Sequence, residues 1–189
     1  MRIISGTAKG TNLYTLDGLN TRPTLDRVKE SIFNIIQNNI FDSIVLDLFS
    51  GSGAIGLEFA SRGASKVFLC DNSKDACEII KKNIYKTHLE KKVDVINLDY
   101  LDFIKKYKNE KFDIIYLDPP YKTNFIENAI KEFINLKKIT NQTLIIAETD
   151  DEIIVKKIKE IKEIDIIDKR KYGRAFILFL RKARRKEEF

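Results

Sequence analysis

The stretch Asp47-Leu48-Phe49-Ser50-Gly51-Ser52-Gly53-Ala54-Ile55-Gly56 links an apolar run, Ile44–Leu48, to a helical pattern at Ala54–Ser61. Glycines at positions 51 and 53 let the backbone approach a ligand closely, and small residues at 54 and 56 let a helix pack tightly on a strand. A buried strand, a glycine-rich loop and a helix in this order are typical of the nucleotide-binding edge of an open α/β sheet.

Apolar runs alternate with amphipathic helical patterns along the rest of the chain, which favours a parallel sheet covered on both faces. The predicted strands are Ile44–Leu48, Lys66–Cys70, Val93–Asn97, Phe112–Leu117, Leu144–Ala147, Asp165–Tyr172 and Ala175–Arg181. The predicted helices are Ala54–Ser61, Lys74–Thr87, Tyr100–Lys106, Asn124–Phe133 and Asp151–Lys159. Only Gly173-Arg174 separates the last two strands, which is a hairpin signal. The sequence therefore predicts a doubly wound, Rossmann-like α/β sheet that is mostly parallel with one antiparallel strand.

The chain before the sheet predicts a small extension. Two short apolar pieces around glycine turns in residues 2–14 indicate a β-hairpin. A helix is expected next, with Thr24 as its N-cap and Asp26 in its first turn. Its apolar face is predicted from Leu25, Val28, Ile32, Ile35 and Ile36. We expect a single domain over 1–189, with 1–40 forming the hairpin and helix extension and 41–189 the cofactor-binding and catalytic core.

Composition narrows the class of protein. Hydrophobic residues make up 43% and charged residues 33% of the chain, which fits a soluble globular protein. No apolar run approaches a membrane span, and the N-terminus lacks a signal-peptide pattern, so a cytoplasmic location without membrane contact is predicted. Cys70 and Cys77 match no metal spacing and are predicted to be small buried side chains in a reducing compartment. No metal site is predicted, and His88 is expected to be a solvated residue at a helix end.

The net charge of +6 is unevenly distributed. Residues 1–167 carry 25 Lys/Arg and 25 Asp/Glu, whereas residues 168–189 carry 9 and 3. The excess therefore lies in the last 22 residues, either as a solvated tail or as an electrostatic contribution to polyanion binding.

Acidic side chains at strand ends predict the ligand of the glycine loop. Asp71 follows the second strand, where its carboxylate could accept both ribose hydroxyls of an adenosine group, and Asp99 beyond the third could reach the adenine amine. NAD competes, because a glycine loop with a distant acid matches the dinucleotide fingerprint. S-adenosylmethionine is favoured, since Asp47 would repel a pyrophosphate and attract a sulfonium and an ammonium. The candidate cofactor-binding residues are Asp47, Phe49, Gly51, Ser52, Gly53, Asp71, Asn72, Asp99 and Tyr100.

The run Asp118-Pro119-Pro120-Tyr121 follows the predicted strand Phe112–Leu117 and so lies where open α/β sheets place their ligands. Asp118 offers a carboxylate acceptor, the two prolines stiffen the backbone and can aim a carbonyl at the same amine, and Tyr121 offers a flat face for stacking. These four candidate catalytic residues predict methylation of a planar nitrogen; the alternative is a rigid turn.

Neither an exocyclic base amine nor a planar amide nitrogen is excluded as the target. Asp at position 118 disfavours the glutamine methyltransferases. The lack of a separate target-recognition domain in 189 residues disfavours sequence-specific DNA adenine methyltransferases.

The chain resembles the bacterial 16S ribosomal RNA guanine-N2 methyltransferase family (RsmD-like) over nearly its whole length. The resemblance is carried by Arg2–Gly6, by Arg22-Pro23-Thr24-Leu25-Asp26-Arg27-Val28-Lys29-Glu30-Ser31-Ile32-Phe33-Asn34, by Leu46–Glu58 with the glycine loop, and by Asp118–Tyr121. The Arg-Pro-Thr block ahead of the sheet is the most specific of these.

This resemblance implies a class I methyltransferase fold and S-adenosyl-L-methionine as cofactor. It also implies methyl transfer to the exocyclic N2 amine of one guanine in 16S rRNA, within the small ribosomal subunit or its assembly intermediate, by a monomer. The residues implied in RNA binding are Arg2, Lys9, Arg22, Thr24 and Arg27. The basic C-terminal residues Arg181, Lys182, Arg184, Arg185 and Lys186 are further candidates for phosphate contacts.

Overall fold

The computed structural model describes residues 1–15, 23–120 and 123–184, with the backbone alone for residues 23–25. The helices are α1 (Pro23–Ile35), α2 (Ala54–Ser61), α3 (Lys74–Thr87), α4 (Tyr100–Lys106), α5 (Phe125–Asn135) and α6 (Glu152–Lys159), with a 3-10 turn at Gln37–Asn39. The strands are β1 (Ile44–Asp47), β2 (Lys66–Asp71), β3 (Val93–Asn97), β4 (Ile114–Leu117), β5 (Leu144–Thr149), β6 (Ile164–Tyr172) and β7 (Ala175–Lys182).

These strands form one seven-stranded sheet in the order β3-β2-β1-β4-β5-β7-β6. β1 pairs with β2, β2 with β3, and β4 with β5, all in parallel. β7 runs antiparallel to both β5 and β6. The predicted Rossmann-like sheet with one antiparallel strand is therefore confirmed.

The chain falls into two compact units, Met1–Phe103 and Ile104–Phe189. In the first unit, Val28 and Ile32 of α1 and Val45 of β1 are buried. In the second unit, every residue of β4 and β5 is buried, as expected for strands covered on both faces. The single-domain organisation stays a prediction.

The N-terminal extension differs from its prediction in one detail. The helix begins at Pro23, so Thr24 lies inside its first turn and is not the N-cap. Proline is favoured at the first helical position because its missing N–H would have no partner there in any case. The expected hairpin is confirmed. An antiparallel bridge joins Arg2 and Asn12, and the N–H groups of Ile3, Gly10 and Leu13 donate across the hairpin to the Thr11, Ile3 and Met1 carbonyls at 3.0, 2.8 and 2.9 Å.

The cysteines and the histidine occupy the environments predicted for them. Cys70 and Cys77 are free and buried, and burial raises the pKa of the Cys70 thiol to about 12, so it is not a reactive thiol at neutral pH. His88 is exposed at the C-cap of α3 with a φ of 56°. Among the described residues, no helix is long and apolar enough to span a bilayer.

Candidate active site

The glycine loop has the conformation that its sequence predicts. Gly51 and Gly53 have φ values of 53° and 78°, in the left-handed region that glycine adopts readily. At Gly56 a Cβ atom would lie 2.0 Å from the Leu69 Cδ2 atom, so only glycine allows α2 to pack this closely on β2. The loop is thus a tight connection between the end of β1 and the start of α2.

Asp47 is a buried acid at the end of β1. Its side chain accepts a hydrogen bond from the Gly56 N–H at 3.1 Å. Burial raises its pKa from 3.8 to about 7, and the nearby Asp71 acts in the same direction, whereas the Gly56 N–H opposes the shift. The Phe49 N–H also opposes the shift. A buried carboxylate favours a cationic neighbour.

The raised pKa of Asp47 predicts a dependence of stability on pH. Between about pH 4 and 7 the folded protein holds a proton that the unfolded chain releases, so this residue's contribution to stability falls as the pH rises through that window. Asp47→Asn retains an acceptor for the Gly56 N–H and has no charge. Urea unfolding across this window should show the variant gaining stability relative to wild type as the pH rises. A difference independent of pH would contradict the assignment.

Asp71 connects the glycine loop to the next loop. Its Oδ2 accepts from the Gly51 N–H at 2.9 Å, and its Oδ1 accepts from the Ser73 N–H at 2.9 Å. The partly exposed carboxylate keeps further acceptor capacity, because each oxygen has two lone pairs. Asn97, at the end of β3, donates to the Asp71 carbonyl at 2.9 Å, and Asn72 is exposed beside it. The ends of β1, β2 and β3 are thus tied together.

The third strand is followed by an acid and an aromatic pair. The exposed Asp99 accepts from the Leu101 N–H at 2.9 Å and so begins α4. The buried Tyr100 ring lies 5.3 Å from the partly exposed Phe49 ring, measured between centroids. A flat group next to this pair would meet apolar ring surface and the nearby carboxylate.

Asn83 is a site residue that the sequence analysis missed. It is fully buried on α3. Its side-chain amide bonds both polar groups of the Tyr14 backbone: Oδ1 accepts from the Tyr14 N–H at 2.7 Å, and Nδ2 donates to the Tyr14 carbonyl at 2.9 Å. Nδ2 also donates to the Ser52 carbonyl of the glycine loop at 2.9 Å. One side chain therefore fixes both the N-terminal segment and the loop. A polar residue at a buried position of the helical pattern was its only signal.

A buried ionic cluster was also missed. Glu58 of α2 is fully buried, with Lys29 Nζ at 3.1 Å and Arg62 Nε at 2.7 Å. Its carboxylate also accepts from the Ile4 and Ser5 N–H groups at 2.8 and 3.0 Å. Burial lowers the pKa of Lys29, and the Glu58 carboxylate opposes this shift. Lys29 belongs to the Arg-Pro-Thr block, and Glu58 ends the stretch that contains the glycine loop. In the structure, both residues hold the N-terminal segment on the fold.

In the second unit, the Asp118-Pro119-Pro120 run directly follows β4. Asp118 is partly exposed, Pro119 buried and Pro120 exposed, while Tyr121 lies outside the described residues. The Thr123 hydroxyl donates to the Pro120 carbonyl at 2.9 Å. The Asp118 carboxyl therefore lies directly after the strand, and the two prolines that follow it restrict the backbone.

Tyr116 of β4 adds a buried contact that the sequence analysis missed. Its hydroxyl donates to Glu148 Oε2 on β5 at 2.9 Å. Burial raises the pKa of Glu148, and the Tyr116 hydrogen bond opposes the shift. This bond fixes neighbouring strands two residues ahead of Asp118.

The predicted RNA-binding residues are described only in part. Arg2, Lys9 and Arg27 are exposed, and Arg2 Nε lies 3.7 Å from Asp26. Arg22 and the side chain of Thr24 lie outside the described residues. Near the C-terminus, Lys182 and Arg184 are exposed, Arg181 donates to the Asn141 and Gln142 carbonyls at 3.3 and 3.2 Å, and Arg185 and Lys186 lie outside the described residues.

Comparison with solved structures defines the class of protein. A putative methyltransferase from Escherichia coli superimposes with a TM-score of 0.83 at 27% identity, covering 96% of this chain and 97% of that one. A putative methylase from Haemophilus influenzae gives a TM-score of 0.77 at 30% identity, covering 97% and 99%. The protein therefore has the α/β fold of methyltransferases.

Sequence comparison assigns the family. The family model described as "Conserved hypothetical protein 95" matches residues 1–181. Ribosomal RNA small subunit methyltransferase D of H. influenzae is 38% identical over 152 residues, covering 79% of each chain. A putative rRNA methyltransferase of Bacillus subtilis is 36% identical, covering 81% of this chain and 84% of the relative. The chain belongs to this family, the RsmD family.

Proposed function

We propose that the protein transfers a methyl group from S-adenosyl-L-methionine to the exocyclic N2 amine of a guanine in 16S ribosomal RNA. The observation that carries the proposal is an Asp-Pro-Pro run at the carboxyl end of a fully buried strand. It occurs in a family with curated members named small-subunit ribosomal RNA methyltransferases.

The first unit is the proposed cofactor site. Asp71 would accept hydrogen bonds from the ribose hydroxyls, using the lone pairs that its two backbone hydrogen bonds leave available. Asp99 would accept a hydrogen bond from the adenine amine, beside Phe49 and Tyr100. Gly51, Ser52 and Gly53 provide close backbone approach, and Asn72 borders the ribose. The buried Asp47 attracts the cationic end of the cofactor and would oppose a pyrophosphate, which favours S-adenosylmethionine over NAD. The bound cofactor supplies a methyl group already activated on a sulfonium.

The Asp118–Tyr121 run is the proposed site for the target amine. The lone pair of a guanine amine is delocalised into the ring, so the nitrogen is a poor nucleophile. The Asp118 carboxylate and the Pro119 carbonyl accept hydrogen bonds from its two N–H groups and favour the pyramidal nitrogen of the transition state. The methylated nitrogen would then release one proton, which the Asp118 carboxylate or water can take. Pro120 stiffens the turn, and Tyr121 stacks on the unstacked base. Positioning and electrostatics then account for most of the rate.

The RNA is proposed to contact the N-terminal segment through Arg2, Lys9, Arg22, Thr24 and Arg27. The basic C-terminal residues would add phosphate contacts, so their contribution to RNA affinity should fall as the salt concentration rises. The substrate is the rRNA within the small subunit or its assembly intermediate, and the enzyme acts as a monomer.

Labelled S-adenosylmethionine offered with a 16S rRNA transcript, or with small-subunit particles, tests the proposal. Nucleoside analysis should find N2-methylguanosine in the RNA. Label in N6-methyladenosine would assign the activity to adenine instead. Failure to label either RNA substrate would overturn the proposal.

Asp71→Ala is expected to weaken binding of S-adenosylhomocysteine roughly ten- to hundredfold. A charged acceptor to ribose is lost, and such hydrogen bonds contribute about 1.5–3 kcal/mol. Calorimetric titration measures the change, with the exposed Asp75→Ala on α3 as control. Saturable NAD binding by wild type, without binding of S-adenosylhomocysteine, would contradict the cofactor assignment.

A further inference from the structure

The charge balance of residues 1–167 conceals a local excess on α3. Residues 81–92 contain five lysines and one acid, Glu90. Lys81 is already paired with Glu78 at 2.8 Å. Lys82 and Lys86, one helical turn apart, are both exposed. Two cations at this spacing lie on one side of the helix.

Two tyrosine rings are exposed next to these lysines. Tyr85 is 74% exposed and Tyr14 50%. Lys86 Nζ lies 4.4 Å from the centroid of the Tyr14 ring, which places Tyr14 against the same part of α3. Exposed aromatic rings beside lysines form a surface of a kind that nucleic-acid-binding proteins use, because every base has a face that can stack.

Tyr14 is also held in a fixed position. Both polar groups of its backbone are bonded to the buried Asn83, at 2.7 and 2.9 Å. A fixed aromatic ring loses less conformational entropy on binding than one on a free segment. Because Asn83 also bonds the Ser52 carbonyl, the ring and the glycine loop share one anchor.

We propose that Tyr14, Lys82, Tyr85 and Lys86, here named the α3 face, bind a single-stranded segment of the RNA substrate. The lysines contact phosphates and the tyrosines stack on bases. The positive charge of this face complements a polyanion, and its aromatic rings fit unpaired bases. The inference rests on the proposed function, since it adds a contact outside the Asp118–Tyr121 run for the same substrate.

The test is RNA binding by the full-length protein, measured by fluorescence anisotropy with a labelled fragment of 16S rRNA over a range of salt. The double variant Lys82→Gln/Lys86→Gln should flatten the slope of log affinity against log salt by about 1.4, near 0.7 for each phosphate contact on a single strand. The matched control is Lys105→Gln/Lys106→Gln, which removes two exposed lysines from the last turn of α4. Its slope should equal that of wild type.

Tyr85→Ala should weaken RNA binding about tenfold through lost stacking, with little change in the salt slope. Titration with S-adenosylhomocysteine should be unaffected in every variant. If the α3 variants bind RNA with the same affinity and the same salt slope as wild type and the control, the α3 face alone is overturned. Wild type that binds the RNA without methylating it would overturn the proposed function alone. Wild type without affinity for the RNA would overturn both.

Discussion

Asp118→Ala is expected to reduce methyl transfer by about two to three orders of magnitude while leaving cofactor affinity nearly unchanged. Removal of one group that stabilises developing charge in a transition state costs roughly 100- to 1000-fold in rate. The Asp118 carboxyl lies at the end of β4, whose four residues are all buried. This strand keeps the backbone in place when the side chain is truncated, so the loss reports the missing acceptor.

Single-turnover rates on small-subunit particles separate this effect from binding. Asp118→Asn keeps one acceptor oxygen without the charge and should fall between wild type and Asp118→Ala. The control is Asp113→Ala, an exposed acid ahead of the same strand. If Asp118→Ala retains more than about a tenth of the wild-type rate, corresponding to less than 1.4 kcal/mol, the role assigned to Asp118 is wrong.

The sheet and most helices were predictable because their patterns are regular. The bounds of α2, α3, α4 and β3 agree with prediction. The pattern is clearest in α3, where the buried residues recur at helical spacing. β5 extends past Ala147 because Glu148 and Thr149 pair with Ile177 and Phe176 of β7. That pairing is a tertiary contact that polar residues at a strand end do not indicate.

The N-terminal segment combines local strand pairing with tertiary packing. Its alternating apolar and glycine residues predicted the hairpin, but not the contacts of its turn with α2. The Thr7 and Ala8 N–H groups donate to the carbonyl and hydroxyl of Ser61 on α2, both at 2.9 Å. The close approach at Gly6, where a Cβ atom would lie 1.9 Å from the Ser61 carbonyl oxygen, requires glycine. The Thr7 and Ala8 N–H groups are thus satisfied by a helix, whereas the Ile3 and Leu13 N–H groups bond across the hairpin.

The candidate site was predictable where it follows a general rule of α/β sheets. Asp47, Asp71 and Asp118 each lie at or just past a strand's carboxyl end, as the apolar runs before them indicated. The hydrogen bonds that Asp71 makes to two backbone N–H groups depend on loop geometry and were not predictable. Asn83 and Glu58 were missed because polar residues in a helix are usually solvated, whereas both are fully buried here.

Glu58→Ala is expected to destabilise the protein by about 3–5 kcal/mol, because it leaves Lys29 buried without its carboxylate partner. Two backbone N–H groups, those of Ile4 and Ser5, lose their acceptor in the same variant. Urea unfolding measures the loss. The control is Glu78→Ala, which removes an ion pair between two exposed side chains and should change stability little.

The double variant Lys29→Met/Glu58→Leu separates lost packing from an uncompensated charge. Apolar replacement of a buried ion pair is often close to neutral, so the double variant should recover the part of the loss that comes from the unpaired Lys29 charge. The part that comes from the Ile4 and Ser5 N–H groups should remain, because the double variant also lacks their acceptor. Because Lys29 is 4% exposed, the same variant should also bind RNA like wild type once folded. Full stability of Glu58→Ala would contradict the buried-charge argument. Weak RNA binding by a stable double variant would instead make Lys29 part of the substrate surface.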